Sequence, residues 1–194
     1  QETDILISDG KIDAIGSSPN KTVKKLNASG YMVLPGIVDL HGDAFERQIM
    51  PRPGVSFPLT LAFLDTDRQL VANGITTAYH GITYSWEPGL RGRETVTKVM
   101  TALKNVSKRL GADTKCHLRF ETFNFAAGDE VLNWILDRNI DFLAFNNHLP
   151  SIRKKIQENQ SLSQFLERSG LEKAAFLQLV EKLSEREHET TKLV

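Results

Sequence analysis

Two potential metal ligands, His41 and Asp43, stand at the end of a largely apolar run that begins at Val33. The run contains the β-branched and aliphatic residues expected of a strand that is covered on both faces. Because alternate side chains of a strand leave the same face, residues two apart project together. An imidazole and a carboxylate that converge at a strand's end suit a divalent cation. The spacing favours a metal site, although a turn in which both residues cap the next element would give the same pattern.

A second pair of candidate ligands, Glu121 and His148, follows two other segments of strand-like composition. A carboxylate near the end of a buried strand is costly unless it is paired or bound to a metal. Glu121 could therefore be a ligand, or it could form a salt bridge with Arg119 or Arg47. His148 could bind a metal, or it could form a hydrogen bond with Asn146. The residues alone leave both alternatives open.

Other histidines and cations are weaker candidates for the same site. His80 ends a predicted strand, where it could face the site, whereas His117 comes early in its strand and is expected in the core or behind the ligands. Arg47 and Arg52 could bind phosphate oxygens, because a guanidinium group matches phosphate with two parallel hydrogen bonds. Lys155 would act as a point charge. Each of these cations could equally be a surface residue.

Composition limits the class of protein. The 194 residues suffice for one domain with a core, and 24 basic residues balance 24 acidic ones, so no general attraction to nucleic acid or to a membrane surface is expected. The single cysteine, Cys116, excludes an intramolecular disulfide. No apolar run approaches the roughly 20 residues that span a bilayer, and the N-terminus lacks a signal-peptide pattern. We therefore expect a cytoplasmic protein.

Hydrophobic periodicity predicts alternating strands and helices. Such alternation with short connections indicates βαβ units and a parallel sheet, here about half of a barrel. A hairpin with Asp9 and Gly10 at its turn precedes them. The predicted strands are residues 32–41, 75–79, 115–123 and 140–145; the predicted helices are residues 59–72, 93–110 and 129–138; residues 51–58 and 85–92 are predicted loops.

The predicted organisation has three parts. Residues 1–31 would belong to a small flanking β-domain, residues 32–150 would form four β/α units, and residues 151–194 would form a charged helical segment. Ser169 and Gly170 divide that segment into two predicted helices, whose charged face is expected to be solvated. A complete (β/α)8 barrel needs about 250 residues. We therefore expect this chain to be an incomplete barrel.

Several runs resemble the PhnM family of alkylphosphonate utilisation, within the amidohydrolase superfamily. The resemblance covers roughly residues 5 to 155, and Pro-Arg-Pro together with His-Leu-Arg-x-Glu is its most specific part. Most amidohydrolases have His-x-His where this chain has His41 and Asp43, but the narrower family carries His-x-Asp. The runs are His-Gly-Asp-Ala-Phe-Glu-Arg (41–47), Pro-Arg-Pro-Gly-Val (51–55), Asn-Gly-Ile-Thr-Thr (73–77), His-Leu-Arg-Phe-Glu (117–121) and Asn-His-Leu-Pro (147–150).

The resemblance implies a fold, a cofactor and an activity. The fold would be α/β, the N-terminal part of a (β/α)8 TIM-type barrel with a flanking β-sandwich hairpin. His41, Asp43, Glu121 and His148 would bind one or two divalent ions such as Zn²⁺, and Arg47 and Arg52 would bind a phosphorylated small molecule. The implied reaction cleaves a phosphoric anhydride in a ribose phosphonate triphosphate. No catalytic residue is assigned, because the family's later ligands and general base lie outside this sequence, and we expect the chain alone to be inactive.

Two alternatives remain open. A hydrolase of C–N bonds, of the deacetylase or deaminase type, would use the same metal-bound water. A non-catalytic partner of a phosphonate-degrading complex would use the open sheet edges of a half barrel, which also favour a homo-oligomer. An apolar lining from Phe45, Phe57, Trp86 and Phe123 would favour the C–N hydrolase, whereas cations at Arg47, Arg52 and Arg91 would favour a phosphorylated substrate.

Overall fold

The computed structural model describes residues 3–16 and 24–192. The chain divides into two compact units, Gln1–Pro35 and Gly36–Val194. Of the loop and short strand predicted over residues 17–27, residues 17–23 lie outside the described part, and residues 24–27 have no regular secondary structure.

The first unit contains an antiparallel hairpin of β1 (Ile5–Ser8) and β2 (Lys11–Ile15). Asp9 and Gly10 have φ angles of 51° and 73°. Two consecutive positive φ angles are typical of the tight turns whose twist matches that of the paired strands, and Asp-Gly tolerates them. The predicted hairpin is confirmed, and its membership of a flanking β-sandwich stays a prediction.

The second unit is built on a parallel sheet of four strands in the order β3 (Ile37–Gly42), β4 (Ile75–Tyr84), β5 (Asp113–Glu121) and β6 (Phe142–Asn146). Short helix α1 (Phe45–Ile49) and then α2 (Leu59–Ala72) connect β3 to β4. Helices α3 (Arg93–Val106) and α4 (Gly128–Leu136) make the next two connections. This α/β architecture is consistent with part of a TIM-type barrel.

Helix α2 ends where the sequence predicted. The Asn73 side chain donates a hydrogen bond to the carbonyl of Gln69, and Gly74 follows with a φ of 76°. A glycine in this left-handed conformation is the usual end of a helix, because it has no Cβ to clash with the backbone. The chain then enters β4 directly at Ile75.

Asp67, on α2, joins this helix to the turn that precedes β5. Its carboxylate is buried and accepts hydrogen bonds from the backbone N–H of Gly111, at 2.9 and 3.0 Å, and of Ala112, at 2.9 Å. A charged acceptor that takes backbone donors is stabilising where water is excluded. The carboxylate therefore fixes α2 against the start of a strand two units away.

One face of the sheet, which we call the outer face, packs against the helices. Alternate residues of β4 and β5 form this face: Ile82, Tyr84, Cys116, Leu118 and Phe120. Burial of these side chains supplies the main core of the second unit. The apolar residues packed against them come mostly from α2, α3 and α4 and include Phe63, Val96, Val99, Leu103, Val106 and Val131.

Strand β3 is exposed, and the prediction of a strand covered on both faces from residue 32 was wrong. Residues 31–36 have no regular structure, and Ile37, Val38 and Leu40 are 54–61% exposed. The reason is that β3 is an edge strand, paired only with β4 among the described residues. Apolar β6 side chains at the opposite edge, Phe142 and Phe145, are also about half exposed.

In its described part, the C-terminal region forms three α-helices rather than the two predicted: α5 (Leu149–Gln157), α6 (Ser163–Ser169) and α7 (Lys173–Glu185), followed by a 3-10 helix over Glu187–Lys192. The break at Gly170, with a φ of 69°, was predicted. The additional break separates α5 from α6 and contains Asn159, whose φ is 53°, a conformation that asparagine tolerates better than most residues. In the described part of the chain, no helix is both long and apolar enough to cross a membrane.

The three helices pack on the loops that follow β4 and β5. Phe123 and Trp86 join the apolar residues of these helices in a second core. Glu87, in the loop after β4, has a side chain with no exposed surface and accepts two hydrogen bonds from Arg168 of α6, at 2.5 and 3.2 Å. The helices are therefore held at the end of the sheet where β4 and β5 finish.

Candidate metal and anion site

The face of the sheet opposite the helices, which we call the inner face, is polar. Parallel strands place residues in register on the same face. Thr83 of β4 is in register with Arg119 of β5, and Glu121 is in register with Asn146 of β6. His117 lies on the same face as Arg119 and Glu121, because the three alternate along β5. Polar side chains from three strands thus share one surface.

Glu121 and His148 contact each other at the ends of β5 and β6. Nδ1 of His148 contacts Oε1 of Glu121, and the backbone N–H of His148 donates to Oε2 at 3.3 Å. The Glu121 side chain is 4% exposed, whereas that of His148 is 46% exposed. The partner of Glu121 is therefore His148, and not Arg119 or Arg47. Two of the four predicted ligands are thus brought together.

His41 lies beside His117 at the end of β3. The two rings meet edge to face with their centroids 5.1 Å apart. The backbone N–H of His41 donates to Oδ1 of Asp39 at 3.0 Å, which fixes the chain just before Asp43. Asp43 itself is exposed at the start of the turn into α1.

His117 is the residue whose importance the sequence did not indicate. Its Nδ1 is 3.0 Å from the carbonyl oxygen of Leu40, so Nδ1 carries the proton and Nε2 keeps its lone pair. Burial lowers the pKa of His117, despite the opposing effect of that hydrogen bond, and so favours the neutral ring. Nε2 is buried and has no partner among the described residues. A neutral imidazole whose Nδ1 is fixed by a carbonyl has the arrangement of a typical metal ligand.

The four predicted ligands do not form one cluster: Glu121 contacts His148, whereas Asp43 lies exposed after the last residue of β3. His41 contacts His117, and Glu121 lies four residues further along β5, which corresponds to about 13 Å along a strand. Among the described residues, no group of three or more histidine, cysteine or carboxylate side chains is close enough to hold a cation. The donor types, imidazole nitrogen and carboxylate oxygen, nevertheless suit a borderline divalent ion such as Zn²⁺. The assignment of all four to one metal site stays a prediction.

Other candidates are distributed differently from what the sequence suggested. Arg47 and Arg52 are exposed, at the end of α1 and in the following turn. Arg91 is not available to a substrate, because it makes a bidentate ion pair with Glu46 at 2.8 and 3.1 Å. Lys155 donates to Gln160 at 3.4 Å.

The aromatic residues considered as a lining are mostly in the cores. Phe45 and Phe123 are at most 2% exposed and belong to different clusters. His80 does not face the inner surface, because it is packed edge-on between Phe45 and Phe63 on the outer side. Burial there lowers the pKa of His80 to about 4. The inner face is therefore the more polar of the two.

Comparison with known proteins yields two curated relatives. The chain is 30% identical over 118 residues to the alpha-D-ribose 1-methylphosphonate 5-triphosphate diphosphatase of Escherichia coli (strain K12). The aligned region covers 59% of this chain and 31% of that protein. It is 26% identical over 133 residues to an allantoinase of Bacillus licheniformis, which covers 69% of this chain and 27% of that protein. The chain is therefore similar to PhnM-like amidohydrolases.

The chain thus spans about a third of the length of these curated relatives. Both are hydrolases of the amidohydrolase superfamily, in agreement with the resemblance in the sequence motifs. No family model matches the chain. No solved structure matches it either.

Proposed function

We propose that this chain is the metal-binding N-terminal part of a hydrolase that cleaves a phosphoric anhydride in a ribose phosphonate triphosphate and releases diphosphate. The observation that carries the proposal is the contact between Glu121 and His148 at the ends of parallel strands. Active sites of β/α barrels lie at that end of the strands. The Escherichia coli relative is a diphosphatase of alpha-D-ribose 1-methylphosphonate 5-triphosphate, which supports the substrate class.

In this proposal, His41, Asp43, Glu121 and His148 hold one or two Zn²⁺ ions. A bound Zn²⁺ lowers the pKa of its water and polarises a phosphoryl oxygen. Glu121 is buried and orients the ring of His148 through Nδ1, so Nε2 can point at the ion. No residue of this chain is assigned as the general base.

The substrate in this proposal is a phosphorylated small molecule, with Arg47 and Arg52 at its periphery. Both cations are exposed, and each can present a planar fork to phosphate oxygens. The equal numbers of basic and acidic residues favour a small molecule over nucleic acid or a membrane surface as the partner. A cytoplasmic location is part of the same proposal.

The experiment that tests the metal assignment is elemental analysis of the purified chain after incubation with Zn²⁺ and gel filtration. The His41→Ala/Asp43→Ala double variant should lose bound zinc, and Glu121→Gln, which keeps shape but not charge, should weaken zinc affinity by about 10- to 100-fold. Arg68→Gln, on the exposed side of α2, is the control and should bind zinc as the unaltered chain does. Unchanged zinc content in both site variants would contradict the assignment.

The second candidate is hydrolysis of a C–N bond, favoured by the similarity to an allantoinase. The zinc-loaded chain should bind ribose 1-methylphosphonate 5-triphosphate, as measured by calorimetry, and the Arg47→Gln/Arg52→Gln double variant should bind it less tightly. Binding of allantoin in preference to the triphosphate, with no effect of the double variant, would favour the C–N hydrolase instead.

A further inference from the structure

We propose that Arg119 and Thr83 form an oxyanion site on the inner face, which holds a phosphoryl or phosphonyl group between the His41–His117 contact and the Glu121–His148 contact. The substrate class rests on the proposed function. The site itself rests on buried polar atoms that have no partner in the described part of the chain. None of the residues involved is among the metal ligands proposed above.

Arg119 lies at the centre of the inner face, two residues from His117 and two from Glu121 along β5. Its Nε is buried and has no hydrogen-bond partner among the described residues. The carboxylate of Glu121, two residues further along the strand, contacts His148. A partly buried guanidinium without an anion is costly. A bound anion would give this Nε atom the hydrogen-bond acceptor that the described part of the chain does not supply.

Two further donors lie on the same face. Thr83 is in register with Arg119 and 3% exposed, and its hydroxyl is buried without a partner among the described residues. The Nδ2 atom of Asn146, in register with Glu121, is also buried and unpartnered there. A guanidinium, a hydroxyl and an amide group can all donate hydrogen bonds. Several donors from three neighbouring strands match the several oxygens of a phosphoryl group better than the two of a carboxylate.

Gly81 shows where the Arg119 side chain runs. A Cβ atom at Gly81 would lie 3.3 Å from Cδ of Arg119 and 3.6 Å from the carbonyl oxygen of Gly42. The side chain of Arg119 therefore crosses β4 over a residue that has no side chain, in the direction of the end of β3. In the proposal, an oxyanion bound by this side chain lies between the His41–His117 contact and the Glu121–His148 contact.

The test measures anion binding by the metal-free, EDTA-treated full chain, using calorimetry at constant ionic strength. The probes are inorganic diphosphate, methylphosphonate and acetate. Arg119→Gln should weaken diphosphate binding by roughly 10- to 100-fold, because it removes a charge-assisted pair of hydrogen bonds. Thr83→Val, which keeps the shape of the side chain, should weaken it by about threefold. Arg68→Gln on the exposed side of α2 removes the same charge elsewhere and should have no effect beyond about twofold.

Two variants keep the test decisive if Arg119→Gln does not fold, which circular dichroism would reveal. Arg119→Lys keeps the charge but not the fork, and should reduce the preference for diphosphate over acetate. Gly81→Ala displaces the Arg119 side chain and should weaken diphosphate binding with no change in charge. Binding as tight as in the unaltered chain in these folded variants would overturn the proposal, as would an equal loss in Arg68→Gln.

The probes separate the sources of the oxyanion. If Arg119→Gln weakens the binding of methylphosphonate more than that of diphosphate, the site binds the phosphonyl end of the substrate. If it weakens the binding of diphosphate more, the site binds the anhydride end. Acetate bound as tightly as both would refute the phosphoryl class. Because the anion-binding test uses metal-free protein, its result does not depend on the zinc assignment. If the chain binds zinc normally but Arg119→Gln leaves diphosphate binding unchanged, the oxyanion site is refuted and the proposed function is not.

Discussion

Replacing Arg168 by methionine should destabilise the chain strongly at neutral pH and much less in mild acid. Arg168 is the ion-pair partner of Glu87, whose side chain has no exposed surface. Methionine fills similar volume but leaves the carboxylate buried without its cation. Removal of one member of a buried pair typically costs about 3–5 kcal/mol. The Arg168 side chain is itself 23% exposed, so we expect the lower end of this range, about 3 kcal/mol.

The pH dependence follows from the carboxyl group that remains. Burial already raises the pKa of Glu87 in the unaltered protein, although the nearby Arg168 and Arg91 oppose the shift. Without Arg168 this pKa should rise further, so the folded variant would hold a proton that the unfolded chain releases near its ordinary carboxyl pKa. The variant therefore regains the stability that it lacks at pH 8 as the pH falls toward the ordinary pKa of a carboxyl group.

Urea denaturation at pH 8 and pH 5, followed by tryptophan fluorescence, measures the effect. Of the two tryptophans, Trp86 reports on this region, because its ring lies 6.1 Å from that of Phe176 in α7. The difference from the unaltered chain at the same pH should be about 3 kcal/mol at pH 8 and distinctly smaller at pH 5. Lys98→Met, in an exposed pair with Glu94, is the control and should change nothing measurable.

The same reasoning predicts a rescue. Since desolvation outweighs the attraction to the cations at Glu87, the double variant Glu87→Gln/Arg168→Met should regain most of the stability lost by Arg168→Met alone. A loss in Arg168→Met that is the same at both pH values would refute the argument, as would a loss below about 1 kcal/mol at pH 8.

Three further predictions concern other buried groups and the sheet edges. Because burial lowers the pKa of His80 to about 4, the unfolded chain binds a proton before the folded chain does on acidification. The free energy of unfolding should therefore decrease by up to about 3 kcal/mol between pH 6.5 and pH 4. In urea denaturation, His80→Phe should show a weaker pH dependence, and an equal pH dependence would exclude His80 as the cause. Burial raises the pKa of Cys116 to about 12, so iodoacetamide at pH 8 should label it only after denaturation, and rapid labelling of the native chain would contradict this. Light scattering should detect association through the exposed edges at β3 and β6; a lone monomer of 21.8 kDa would contradict it.

Local features of the fold could be predicted because neighbouring residues specify them. The hairpin depends on the backbone freedom of Asp9 and Gly10, and the end of α2 on Asn73 and Gly74. The break after α5 contains Asn159 in a left-handed conformation. The composition of this segment does not distinguish such a break from a continuous helix, so the break was not predicted. The exposure of β3 could not be predicted, since apolar composition does not state whether a neighbouring strand is present to cover it.

The candidate site could be predicted only within each strand. A spacing of two residues predicts that His41 and Asp43 share one face, which stays a prediction because Asp43 lies after the last residue of β3. The same rule groups Arg119 with Glu121, and both lie within β5. It does not state which level of β5 lies beside the end of β3, because register between strands is a tertiary property. The structure places His117 there, a residue expected behind the ligands. The contact between Glu121 and His148 joins a strand to the residue before α5, and no sequence spacing encodes it.

The Asp67 carboxylate has a consequence for how the sheet comes apart. A parallel sheet of successive βα units could open one unit at a time, since each helix packs mainly on its own neighbourhood. Asp67, however, takes its hydrogen bonds from amides 44 and 45 residues later in the chain. Opening of the β5 unit would leave a buried carboxylate unsatisfied in α2, so the two units should unfold cooperatively. The amide protons of Gly111 and Ala112, although they lie in a turn, should then exchange with solvent as slowly as those of the central strands.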